Sequence, residues 1–278
     1  MQLKIFGDTT PIDWQTLGVR MPFAPMHELA KKYDLASHEE FDVCFGELVR
    51  KLDFNRTFEI SDISSAQAFN LFQRLRYRTR NTMAALDQAT ADTICINLGG
   101  GYHHAGKYPD TGYAYALIND IIWAADYQLE QGKTIGIIDL DFHFGGGTWD
   151  YYCRTNDNNN RINLYDSFHQ KGLLQKHKSY IDETQSDICC TPPPDVPYVD
   201  KILLNIGTDW FNEDIMFGQY GQMLSPHLIQ VWMDTIKQIV DRGIPLAITC
   251  GGGYGDAGLQ LYEILISWIQ QYSLVGPV

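Results

Sequence analysis

The sequence predicts an α/β fold built on a parallel sheet, and three observations carry that expectation. Short apolar runs alternate with longer helix-like stretches. The runs are apolar nearly throughout, as in strands covered on both faces, and glycine-rich polar segments follow them directly. The expected strands are Leu3–Phe6, Thr93–Asn97 in TICINL, Thr134–Asp139 in TIGIIDL, Arg161–Tyr165, Lys201–Ile206 in KILLNIG and Pro245–Thr249 in PLAITC. Helices are expected over Ala66–Leu86, Tyr115–Gln131, Ser225–Arg242 and Ala257–Gln271. Gly132 and Gly243 stand just past two of these helices, where a C-cap favours a positive φ. Thr155–Asn160 and the proline-rich Thr191–Pro197 read as loops. No fixed-period repeat and no linker-like shift of composition divides the chain.

Composition bounds the function. The chain has 278 residues, 45% of them hydrophobic and 20% charged, which suits a folded globular chain and excludes a largely disordered one. Its formal net charge of −13 would repel a phosphate backbone, so nucleic acid is not an expected partner, whereas cationic substrates are compatible. The six cysteines form no CxxC pair or disulfide-like ladder. The opening MQLKIFGDTT has no signal-peptide pattern, and no apolar run approaches the ~20 residues that cross a bilayer. The expectation is a cytoplasmic protein with reduced thiols and no membrane association.

The unusual residues gather just after the expected strands. After TICINL comes Gly99-Gly100-Gly101-Tyr102-His103-His104, and after TIGII comes Asp139-Leu140-Asp141-Phe142-His143-Phe144-Gly145-Gly146-Gly147. After KILLNI comes Gly207-Thr208-Asp209, and after PLAITC comes Gly251-Gly252-Gly253-Tyr254. Ligands of open parallel sheets bind outside the carboxyl ends of the strands, so four such segments point to one shared site. Any one of them alone could be a turn, a helix cap or a surface histidine pair; their joint placement is the signal. Asp141 and His143 project to one side of an extended segment, and Asp209 can supply a third ligand from a neighbouring strand end. Two carboxylates and one imidazole suit a catalytic divalent metal such as zinc. A neutral histidine nearby can serve as general base and then acid, and Tyr254 can donate to a developing oxyanion. These are the parts for metal-assisted amide hydrolysis.

At these residues the chain resembles the zinc-dependent histone deacetylases and acetylpolyamine amidohydrolases, on the arginase/deacetylase-like fold. GGGYHHA, IIDLDFHFGGGT, IGTDWFNEDIMFG and CGGGY are similar in order and spacing to that family's motifs, with Asp214 and Gly218 matching later positions of the third. The resemblance implies a single three-layer αβα domain over 1–278, with 93–259 carrying the motifs and 1–90 matching only in character. It implies Asp141, His143 and Asp209 as ligands of Zn²⁺ (or Fe²⁺ or Co²⁺). It further implies His104 as general base and acid, His103 as electrostatic partner oriented by Asp139, and Tyr254 as oxyanion donor. Asp139, Asp141, His143, Ser167 and Phe168 would form a K⁺ site, and Tyr113, Phe144 and Gly252 would line the substrate pocket. The implied partner is a small cationic or lysine-containing acylated substrate.

The departures are specific. Gly146 stands where the family carries the carboxylate or amide that holds the second tandem histidine, and Gly112–Asn119 is about two residues longer than the family loop. Two other readings stay open at this point. An arginase-like ureohydrolase would need Asp-x-His-x-Asp and a further Asp-x-Asp pair for a second metal, yet the fifth position is Gly145 and Asp209 is followed by Trp210 and Phe211. A deacetylase-fold binding protein with weakened catalysis would account for Gly146.

Overall fold

A computed structural model describes residues 1–12, 25–37, 65–106, 118–155, 161–166, 192–193, 195–215 and 223–275. Among them six strands form one sheet: β1 (Gln2–Gly7), β2 (Thr93–Leu98), β3 (Ile135–Leu140), β4 (Ile162–Asp166), β5 (Lys201–Gly207) and β6 (Leu246–Gly252). Their spatial order is β1-β2-β6-β5-β3-β4, and every pairing is parallel. The helices are α1 (Met26–Ala30), α2 (Ser65–Gln88), α3 (Asp120–Glu130), α4 (Gly146–Thr155), α5 (Ser225–Asp241) and α6 (Ala257–Val275). This is an α/β arginase-deacetylase-like arrangement, and no described helix is long and apolar enough to cross a membrane.

Alternation of side chains along each strand divides the core in two. Ile94, Ile96, Ile138, Leu204 and Ile248 face a cluster completed by Leu29 of α1, Trp232 and Ile236 of α5, and Leu265 of α6. Phe6, Cys95, Ile137, Leu203 and Ala247 face the other cluster, with Leu75 of α2 and Ile121 of α3. The two clusters explain why the strands read as continuous apolar runs: both faces are covered.

Five of the six strands agree with expectation to within one or two residues and β6 runs three residues further, to Gly252; Gly132 and Gly243 have φ of 80° and 67°, as their C-cap places require. Three further elements differ. The helix expected from Tyr115 starts at Asp120, because Asn119 is extended and its side chain accepts the Ile122 N–H at 3.1 Å, a helix cap. The five-residue α1 has too little periodicity to stand out. α4 begins inside the triple glycine, where the sequence reads as loop: a Cβ on Gly147 would collide with the Ala105 carbonyl, so only glycine lets this helix start press on the tandem-histidine loop.

The catalytic-looking strand ends are held by a row of polar residues at one level of the sheet. Asn97 pairs with Thr249, Thr249 with Asn205 and Asn205 with Asp139 in register. Thr249 Oγ1 donates to Asn205 Oδ1 at 3.0 Å, and Asn205 Nδ2 donates to Asp139 Oδ1 at 2.9 Å. One layer below, Leu204 is fully buried in β5. Leu204→Ala is expected to lower the unfolding free energy by about 3 kcal/mol, measured by urea titration.

Candidate metal centre at the carboxyl ends of the strands

Asp141, His143 and Asp209 come together: each offers a ligand atom, and these atoms lie within 4.8 Å of one another. Asp139 Oδ1 accepts the Asp141 N–H at 3.1 Å, and Asp141 Oδ1 accepts the His143 N–H at 2.8 Å, so the chain curls tightly after β3. His143 Nδ1 then lies 3.2 Å from Asp141 Oδ1 and 3.0 Å from Asp209 Oδ2. Asp209 arrives on a single 3₁₀ turn, Thr208–Trp210, that continues β5. The buried Trp210 pins this turn, donating from Nε1 to the Leu140 carbonyl at 3.0 Å and meeting Phe142 edge-on.

The residues fit a cation. A Cβ on Gly207 or Gly252 would strike the Asp141 carboxylate, so the two glycines leave a cradle around it, and Asp209 Oδ1 is buried with no hydrogen-bond partner. Burial, reinforced by the Asp141 charge, pushes the Asp209 carboxyl up to about 6. His143 is raised to about 9: burial opposes its charge, but hydrogen bonds to Asp141 and Asp209 outweigh it. Asp141 lies below the usual carboxylate range; burial opposes this as well, and the His103 and His143 charges overcome it. Two buried carboxylates thus draw positive charge into one spot, which is the chemistry of a divalent metal site. Among the described residues this is the one such group.

The tandem histidines stand beside it. His103 Nδ1 lies 2.7 Å from Asp139 Oδ2, as expected of an oriented imidazole, and its Nε2 is 3.5 Å from Asp141 Oδ1. The His104 ring centroid is 4.2 Å from that of His103 and 5.5 Å from that of His143. Burial, then the two neighbouring histidines, hold the His104 pKa well below the ordinary imidazole value, so its ring is neutral at pH 7. Gly146 brings no side chain to it, yet His104 is not left unoriented: it hydrogen-bonds the main chain of Phe144, which favours its protonated form. Nor is Gly146 glycine for want of room, since a Cβ there meets only the Phe144 ring, at 3.8 Å.

Tyr254 is half-buried at the end of β6, and its N–H donates to Asp214 Oδ2 at 2.7 Å. Phe144 is half-buried with its ring centroid 6.0 Å from that of Trp149, which in turn lies 5.7 Å from Tyr152; Gly252 sits in the cradle. Tyr113, Ser167, Phe168 and Gly218 lie outside the described residues.

The sequence reading missed the residues that hold the histidine loop. Asp120 accepts the N–H groups of Gly101 (3.0 Å) and Tyr102 (2.8 Å) and the hydroxyl of Thr82. Asn119 Nδ2 donates to the His103 carbonyl (3.2 Å), the Ala105 carbonyl (2.8 Å) and Thr148 Oγ1 (2.9 Å). Asn119-Asp120 at the start of a helical pattern was the available signal, a cap whose spare hydrogen bonds reach another loop. Asn97, Asn205 and Thr249 carried a signal too: each is a polar residue in an apolar strand, two places before a glycine.

Two outcomes follow from this geometry. Asp209→Ala is expected to abolish the stoichiometric binding of cobalt(II), followed by its visible absorption, while the protein stays folded. Gly146→Asp is expected to melt at or above the wild-type midpoint, because the new carboxylate falls in the first turn of α4 and the space is free.

Residues 47–181 match the family model described as the histone deacetylase domain. The acetylpolyamine amidohydrolase of Mycoplana ramosa is 26% identical over 212 residues, covering 66% of this chain and 58% of that protein. Histone deacetylase HDAC1 of Drosophila melanogaster is 37% identical over 82 residues, 30% of this chain and 14% of that one. The chain therefore spans less than two thirds of the length of these relatives. A solved HDAC homolog from Aquifex aeolicus superimposes with a TM-score of 0.60 at 16% identity, over 98% of this chain and 83% of that one. A crystal structure of an HDAC homolog complexed with SAHA gives 0.59 at 14% identity, with the same coverage. At such identities the likeness is one of fold. With the Asp-His-Asp group and the paired histidines at the strand ends, the sequence matches support a likeness of this chain to the histone deacetylase and acetylpolyamine amidohydrolase family.

Proposed function

We propose that this chain is a zinc-dependent amidohydrolase that removes an acyl group, an acetyl group in the first instance, from an amine such as an acetylpolyamine or acetyl-lysine. The observation that carries the reading is the convergence of Asp141, His143 and Asp209 beside a neutral His104. A divalent ion held by those three residues would polarise the acyl carbonyl and increase the acidity of water.

The remaining roles fall to the chain itself. His104, neutral at pH 7 and oriented through Phe144, accepts the proton of the attacking water and returns it to the departing amine. His103, held by Asp139, sits next to His104 and tunes its charge. Tyr254 donates from its hydroxyl to the oxygen on which negative charge develops. The acidic chain favours the approach of a cationic amine, and the Mycoplana ramosa relative is named for acetylpolyamines. Phe144 lies beside His143 and would flank the acyl group. Ser167 and Phe168 would complete the K⁺ site with Asp139, Asp141 and His143, and the proposed place of action is the cytoplasm.

The test is acetate release from acetylputrescine and from an acetyl-lysine peptide by the zinc-loaded chain. Tyr254→Phe is expected to keep about one zinc per chain and to lower kcat by about 10²–10³-fold. Unchanged turnover in Tyr254→Phe would remove the tyrosine from the mechanism. Close to two manganese ions per chain, with urea released from a guanidine, would make it a ureohydrolase. Zinc binding without hydrolysis of any acylated amine would make it a binding protein.

A further inference from the structure

We infer that Asp214 is a positioning residue for Tyr254, tying the loop of the oxyanion donor to the loop of the metal ligand Asp209. The inference rests on the functional reading above. Tyr254 lies between two glycines in the left-handed region, Gly253 with φ 116° and Gly255 with φ 75°. Glycine on both sides gives the segment the widest conformational choice any residue allows, so something outside the loop must fix where the tyrosine stands.

The segment after β5 supplies it. Asp214 Oδ2 accepts the Tyr254 N–H at 2.7 Å, and Asp214 itself is buried, its own N–H donating to the Phe211 carbonyl at 2.9 Å. The acceptor therefore closes a turn, Phe211–Asp214, that follows directly on the turn of Asp209, which Trp210 pins to β3. The preceding residue of the tyrosine loop is fixed from the other side: Tyr262 donates to the Gly252 carbonyl at 2.7 Å, and a Cβ on Gly253 would collide with Thr208. A Cβ on Gly255 would stand 3.0 Å from Ile215, the neighbour of Asp214. The Tyr254 main chain is thus referred, through one charge-assisted hydrogen bond, to the frame that carries the metal group. Loss of that acceptor leaves the fold of both strands intact but loosens the main chain of the tyrosine between its glycines, and a displacement of about 1 Å at a reacting centre can cost on the order of 10²-fold in rate.

The experiment compares the full chain, zinc-loaded, with Asp214→Ala and Asp214→Asn. Asp214→Ala should lower kcat for an acetylated amine by about tenfold or more, with KM and zinc content unchanged. Asp214→Asn, whose side-chain carbonyl can still accept the N–H, should keep most of the activity. Independently of turnover, the Tyr254 amide should exchange with deuterated water about tenfold faster or more in Asp214→Ala, read by ¹H–¹⁵N NMR. Wild-type kcat in Asp214→Ala, unchanged exchange, or an Asn variant as impaired as the Ala variant overturns the inference. So does an Asp214→Ala protein that loses its zinc or its cooperative melting, since Asp214 would then be a folding residue. A wild-type chain inert on every acylated amine overturns the functional reading instead, and the exchange measurement then decides the inference alone.

Discussion

The structure is organised around an electrostatic cost. Asp139, Asp141 and Asp209 are all buried at the carboxyl end of one sheet, where an uncompensated carboxylate is strongly disfavoured. Each has therefore been given partners. Asp139 receives the Asp141 N–H, the Asn205 amide and the His103 ring; Asp141 receives the His143 N–H and ring; Asp209 shares His143 and retains one oxygen with no partner. What protein groups leave unbalanced is negative charge at a single point, and the glycines at 207 and 252 keep that point clear. The metal group, the orientation of His103 and the choice of glycine at the strand ends are consequences of one problem in charge burial.

Much of this was legible in the sequence because the chemistry sits at a fixed place relative to local signals. Apolar runs marked the strands, and polar residues just beyond them marked Asp141, His143, Asp209 and Tyr254 without knowledge of how the strands are ordered. The residues that hold those groups were less legible, for a reason that differs in each case. Asn119 and Asp120 look like an ordinary helix start; that their side chains also grip the backbone of 101–105 depends on where α3 lies against α2 and β3. The row from Asn97 to Asp139 exists only once the register of four strands is known. The start of α4 hid behind three glycines, since helix propensity counts against them while the collision that forbids a side chain at 147 is tertiary.

Gly146 shows how a departure from a family pattern can be absorbed. The resemblance places a carboxylate or amide there as the partner of the second histidine. The structure answers with the main chain of Phe144, which needs no side chain and cannot be removed by a point mutation. A backbone carbonyl is neutral, however, so it orients His104 without supporting a positive charge on it as a carboxylate would. His104 is consequently a weaker base than a carboxylate-backed histidine and is ready to accept a proton only from a correspondingly acidic donor.

The order of the strands also has a bearing on synthesis. β2, which leads into the histidine loop, pairs on its inner edge with β6, the latest in sequence of the described strands, while β3 and β5 pair with each other earlier in the chain. As the polypeptide emerges, Asp141, His143 and Asp209 can meet as soon as β5 has been laid against β3. The histidine loop finds its neighbour only when residues 246–252 arrive. Contacts so distant in sequence are slow to close. The Asp-His-Asp group can thus assemble in a nascent chain before β6 docks between β2 and β5 and the histidine loop gains that support.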